Sequence, residues 1–125
     1  MAPVTNLDPK PFEFPADESL MTLPAAAERL EVPITRLMDM LNAGTIIAVD
    51  TPEGRRIPEL FFGRRRTFAK RVLGVISLLH DGGYSDSEII KFLFTPDDSL
   101  PGRPIDALHG HLAREVLRRA QAMMF

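Results

Sequence analysis

Seven basic residues, Arg55, Arg56, Arg64, Arg65, Arg66, Lys70 and Arg71, stand against one acid, Glu59, within seventeen positions. Cations at that density suit a polyanion, because each base that meets a phosphate releases condensed counterions. The same strip also reads as the solvated start of a basic helix. A second set lies just upstream. If Ile34, Leu37, Met38 and Leu41 turn inward on one helix, the outward side carries Thr35, Arg36, Asp39 and Asn42. Arginine bridges guanine O6 and N7, asparagine pairs with adenine, and threonine meets a thymine methyl or a phosphate. Together the two sets predict binding of double-stranded DNA. Thr35, Arg36 and Asn42 would face the groove, Arg55 and Arg56 a backbone or minor groove, and Arg64, Arg65 and Arg66 the phosphates alongside.

The net charge of −2 hides this strip. Residues 1–19 carry one base and four acids, residues 20–62 four bases and six acids, and residues 63–125 ten bases and seven acids. Other chemistries find little support. The absence of cysteine excludes disulfides, thiolate zinc sites and cysteine nucleophiles. His109 and His111 alternate and so do not share a helix face, which argues against a metal site. His80 reads as a residue near a helix C-terminus, where an imidazolium favours the dipole. Asp97, Asp98 and Asp106 are explained by capping after Thr95 and by pairing with Arg103, which would anchor its loop to a carboxylate. Phe92, Phe94 and the terminal Met123, Met124 and Phe125 read as core. With no nucleophile, base and oxyanion donor assembled, no enzyme and no cofactor are expected. No apolar run approaches the roughly 20 residues of a membrane helix and no leader is evident, so a soluble, cytoplasmic protein is expected.

Residues 1–19 hold Pro3, Pro9, Pro11 and Pro15 with few aliphatics, the composition of a disordered, acidic tail. Thr5 within it is accessible to a Ser/Thr kinase. A phosphate there would add roughly −1.5 to −2 charges to an arm able to compete with DNA for the basic strip. From Leu20 the pattern changes. Thr22 caps a helix with Pro24 in its first turn and Leu23, Ala26, Ala27 and Leu30 on one face. Ile34 opens a second helix, closed by Gly44. Thr45–Val49 then predicts a strand, Asp50–Gly54 a turn and Arg55–Pro58 a return strand. Helix, turn, helix and hairpin make a winged helix-turn-helix over residues 20–63.

Residues 64–125 predict a helical C-terminal domain, so the fold class is mainly α with a small β-hairpin wing. Its helices run from Thr67 to about Asp81, stopped by Gly82-Gly83, and from a Ser85/Glu88 capping box through Phe94. A further turn is expected from Thr95, then a short helix from Ile105 to about His109 and a last one from about Leu112.

The run LMTLPAAAERLEVPITRLMDMLNAGTIIAV, followed by GRRIP, resembles the winged helix-turn-helix of the MerR and excisionase group. The later stretch, with DGGYSD, FTPDDSLPGRPIDAL and RRAQAM in that order, is similar to the C-terminal domain of a small actinobacterial DNA-binding protein family that joins such a winged helix to a helical domain. The likeness covers about residues 20–125. It implies DNA binding by the first domain, in the manner of a transcriptional regulator, with Thr35, Arg36, Arg55 and Arg56 at contact positions. FTPDDSLPGRPIDAL also distantly resembles the C-terminal domain of antitoxins that grip a toxin, which implies the alternative of an adaptor whose helical half holds a protein partner. A last helix of about fourteen residues is short for a MerR-type coiled coil, so a monomer is expected.

Overall fold

Local capping chemistry decides where the first helices begin and end. The computed structural model describes residues 12–124. Helix α1 (Leu23–Leu30) starts where the Ala25 N–H donates to Thr22 Oγ1 at 3.2 Å, with Pro24 in the first turn. It stops at Glu31, whose left-handed φ of 58° lets the Glu31 and Val32 N–H groups close on the carbonyls of the last turn. Pro33 then precedes α2 (Ile34–Asn42), which buries Leu37 and Leu41.

The wing is a three-stranded antiparallel sheet in the order β1 (Leu20–Thr22), β3 (Gly54–Pro58), β2 (Val49–Thr51). Val49 faces Arg56, Asp50 faces Arg55 and Thr51 faces Gly54, while Met21 pairs with Ile57. Gly54, at φ +118°, closes the Pro52-Glu53 loop in a conformation that L side chains avoid. The expected strand at Thr45–Val49 is corrected: pairing begins only at Val49. Ile46 and Ile47 are both buried, and the Thr45 N–H still donates to Met40 of α2. The β-branched run reports burial of a loop, not membership of a ladder. β1, absent from the sequence reading, exists because β3 offers it an edge.

Helices α3 (Lys70–Asp81), α4 (Asp86–Phe94), α5 (Pro104–Leu108) and α6 (Ala113–Ala122) form the second half. The Ser85/Glu88 capping box is present at α4. Thr95, expected to open a further helical turn, instead ends α4, its hydroxyl donating to the Lys91 carbonyl. Asp97 accepts from the backbone and hydroxyl of Ser99, and these bonds, with Arg119 at 2.7 Å, hold its carboxyl below the usual range. His80 lies in the last turn of α3, and its ring covers Gly44, where a β-carbon would come within 2.6 Å of it. Among the described residues, no helix is long and apolar enough to cross a membrane.

One hydrophobic core runs through both halves. Its hinge point is Phe94, 1% exposed, whose ring lies 4.7 Å from Phe14, 6.0 Å from Phe61 and 5.4 Å from the Arg103 guanidinium. The second part of the expected disordered tail is corrected by these contacts. Phe12 and Phe14 pack against the core, and Glu18 accepts from Arg103 at 2.6 Å. Arg103 also grips Asp106 through two further bonds, at 2.8 and 3.0 Å. That grip holds the Asp106 carboxyl below its ordinary range.

Arg103→Ala should cost about 2–3 kcal/mol, since it strands a Glu18 carboxylate that is only 10% exposed. Arg118→Ala, which breaks a pair whose arginine is 72% exposed, should cost under about 0.5 kcal/mol. Urea melts of the two variants check the contrast. Gly74 sits inside α3, and beyond the helix's own backbone a β-carbon there would meet nothing among the described residues within 4 Å. Gly74→Ala should therefore raise stability by about 0.5–1 kcal/mol in the same assay.

Candidate nucleic-acid interface

α2 offers its outer side to solvent: Thr35, Arg36, Asp39 and Asn42 are all exposed. At about 100° per residue, the direction opposite Leu37 and Leu41 is occupied by Asp39, with Thr35 and Arg36 flanking it toward the helix start. The Arg36 N–H donates to the Pro33 carbonyl, while the Ile34 and Thr35 N–H groups before it have no intrahelical carbonyl to reach and no side-chain cap. Ile34 departs from expectation. It is 42% exposed rather than turned inward. A side chain of that kind suits a thymine methyl, and its place in the first turn was the signal that sequence reasoning passed over.

Arg64, Arg65 and Arg66 do not begin a helix, although Thr67 was expected to start one. They form the tip of a tight loop. Phe62 bridges Phe68, the rings lying 4.8 Å apart. The Gly63 N–H donates to the Thr67 carbonyl at 2.9 Å, the Thr67 hydroxyl to the Arg64 carbonyl at 2.8 Å, and Arg65 takes a left-handed φ of 55°. All three arginines are exposed. Arg66 reaches Glu31, in the turn of the helix-turn-helix, at 2.7 Å. The loop is thereby seated beside the entry to α2, and Arg29 of α1 lies over the Phe62 ring at 4.6 Å.

The wing arginines are separated. Successive strand residues point to opposite faces, so Arg56 shares a face with its partners Val49 and Thr22, and Arg55 shares the other with Asp50. Arg55 opens onto a cleft lined by Phe12, Phe14, Asp50 and, from α4, Asp86 and Ile90. Arg56 donates to the Arg55 carbonyl at 3.1 Å. The structure thus brings Thr35, Arg36 and Asn42 onto one helix face and Arg64, Arg65 and Arg66 into one loop, while Arg55 turns toward the helical half.

Residues 13–62 match the family described as DNA-binding protein Rv2175c, wHTH domain, and residues 69–124 match the Rv2175c C-terminal domain of unknown function. This chain belongs to the Rv2175c family. The DNA-binding protein Rv2175c of Mycobacterium tuberculosis is 44% identical over 121 residues, covering 87% of this chain and 83% of the relative. The NMR structure of Rv2175c superposes with a TM-score of 0.82 at 42% identity, covering 92% of this chain and 87% of that one. The fold is therefore a winged helix-turn-helix followed by a helical C-terminal domain. Within this family member, Thr5 lies outside the described residues, as does Phe125, while Met123 and Met124 pack on the core. Among the described residues, no cluster of three or more His, Asp or Glu side chains is placed to hold a metal. His109 spends its ring on the Leu60 carbonyl, joining α5 to the winged half.

A left-handed conformation costs a non-glycine residue about 1–2 kcal/mol, and the Glu31–Arg66 pair, 61% and 65% exposed, returns little of it. Glu31→Gly should therefore raise stability by about 1 kcal/mol. A lowered melting midpoint would show that the ion pair outweighs the backbone.

Proposed function

We propose that this chain is a duplex-DNA-binding transcriptional regulator that docks in the MerR and excisionase manner, without catalysis or a cofactor, and binds as a monomer. The observation that carries the reading is the seating of the three-arginine loop beside the open side of α2 through Arg66 and Glu31. In this docking α2 enters the major groove. Thr35 and Arg36, at its start, reach base edges or phosphates, and Asn42 follows the groove wall. Arg56 and the Arg64–Arg66 loop hold phosphates on either side, the salt-sensitive part of the affinity. Arg55, turned to the opposite face of the wing and facing Asp50, contributes through the general field rather than by contact. Asp39, in the middle of the reading face, opposes phosphate and accepts from a cytosine amino group. It lowers affinity for all DNA while sharpening the choice among sequences. The DNA-binding name of the Mycobacterium tuberculosis relative supports the same reading.

Titration of labelled duplex DNA between about 50 and 200 mM salt tests it, since each phosphate contact contributes about 0.9 to the salt slope. Arg56→Ala should lower the slope by about 0.9 and the Arg64→Ala/Arg65→Ala pair by about twice that, with Arg55→Ala changing it least. Arg36→Ala should alter preference among sequences more than it alters the slope. A parental slope in the loop variant would overturn the docking. Asp39→Asn should tighten binding to random-sequence duplex, and the gain should shrink as salt rises because screening weakens the repulsion it removes. Equal gains at both salt concentrations would remove the electrostatic role given to Asp39.

A further inference from the structure

The helical half carries an opening that neither its own packing nor the DNA surface uses. Between α3 and α6 lies a cleft of about 340 Å³ with an apolar floor, to which Val75 and Leu117 contribute and whose rim holds Lys70, Arg71 and Arg114. Leu117 is 38% exposed, one of two large apolar side chains standing out among the described residues. Among the described residues no carboxylate lines the cleft, and none of the ion pairs involves its three bases. Clefts elsewhere on the molecule mix the two signs, as Asp50, Asp86 and Arg55 do beside the wing and Lys91, Glu88 and Asp97 do beside α4. The third observation is Gly74, which lines the same cleft. A mid-helix glycine loses stability relative to alanine, and nothing among the described residues requires the missing side chain, since beyond the helix's own backbone a β-carbon would meet none of their atoms within 4 Å. Glycine at such a place lets a foreign backbone approach the helix closely.

We propose that the cleft between α3 and α6 receives a segment of another protein that carries carboxylates around an apolar anchor. The rim supplies unpaired cations to meet the carboxylates, the floor beside Leu117 and Val75 buries the anchor, and the bare backbone at Gly74 admits the segment. A second copy of this chain docked through the same patch would set the three bases against themselves. Duplex DNA would leave the apolar floor uncovered. The proposal goes beyond the DNA reading and does not rest on it.

The test uses the full isotope-labelled chain and a short blocked peptide of alternating Glu-Glu and Leu-Leu pairs, read by amide chemical shifts. The acidic peptide should move the Gly74, Val75 and Leu117 amides saturably, whereas a peptide with lysine in place of glutamate, or serine in place of leucine, should not. Gly74→Leu, which fills the cleft, and the Arg71→Glu/Arg114→Glu pair, which reverses its rim, should each weaken binding about tenfold or more, with a thermal midpoint no lower than the parent's. The proposal falls if the acidic peptide leaves those amides unmoved, if either control peptide moves them equally, or if both variants bind as the parent does. It also falls if duplex DNA moves them and displaces the peptide, for the cleft then belongs to the nucleic-acid surface. DNA shifts confined to α2 and the Arg64–Arg66 loop would support it, and they report on the DNA reading separately.

Discussion

The Phe94 ring is held by three partners from three separate stretches of chain: Phe14 before the sheet, Phe61 just after it, and Arg103 in the loop that leads to α5. Burial of one such ring is worth about 1.5–3 kcal/mol, and each aromatic pair adds about 0.5–1.5. Against a domain stability of 5–15 kcal/mol, that single residue is a large share of what joins the two halves, beside the His109 bond to the Leu60 carbonyl and the Arg103–Glu18 pair. The geometry of the side proposed to face DNA follows from it. Phe61 ends the short 3₁₀ turn after β3 (Glu59–Phe61), so fixing Phe61 fixes the wing. The Ala69 N–H donates to the Phe61 carbonyl, and this sets where the arginine loop can stand.

Acidic residues restrain the positive surface as much as the arginines build it. Glu31 draws Arg66 toward the turn, Asp39 stands in the centre of the exposed face of α2, and Asp50 accompanies Arg55 on its side of the wing. Glu31 and Asp50 each stand beside an arginine and offset part of its charge. This fits the near-neutral total charge, since nonspecific adhesion rises with unopposed cations. The Glu31 backbone, held in a left-handed conformation, connects this electrostatic restraint to the shape of the helix-turn-helix itself.

Features governed by chemistry within one turn of chain were legible in the sequence. Thr22 with Pro24, Ser85 with Glu88, and the double glycine after Asp81 each mark a helix boundary that the structure keeps. The apolar spacing of α1, α3 and α4 was equally plain. Features that depend on distant partners were not. β1 needs β3, and the arginine loop needs Phe62 to find Phe68. Ile46 and Ile47 look like a strand because strand and buried loop draw on the same residues. Thr95 could cap either end of a helix, and only the path of the chain after it decides which. Phe12 and Phe14 were hidden by the prolines around them. The two faces of the wing were recoverable in principle, because neighbours on a strand always diverge, but the reading treated Arg55 and Arg56 as one patch.

The narrow loop from Gly63 to Thr67 also makes the chain easy to cut without taking it apart. It presents three consecutive arginines to solvent at the join between the two halves, side chains of the kind a protease of basic specificity recognises. The aromatic seam at Phe94 and the His80 ring over Gly44 hold the two sides together well away from that point. A nicked protein would stay assembled as two interlocked pieces, having lost only the continuity of its most basic segment.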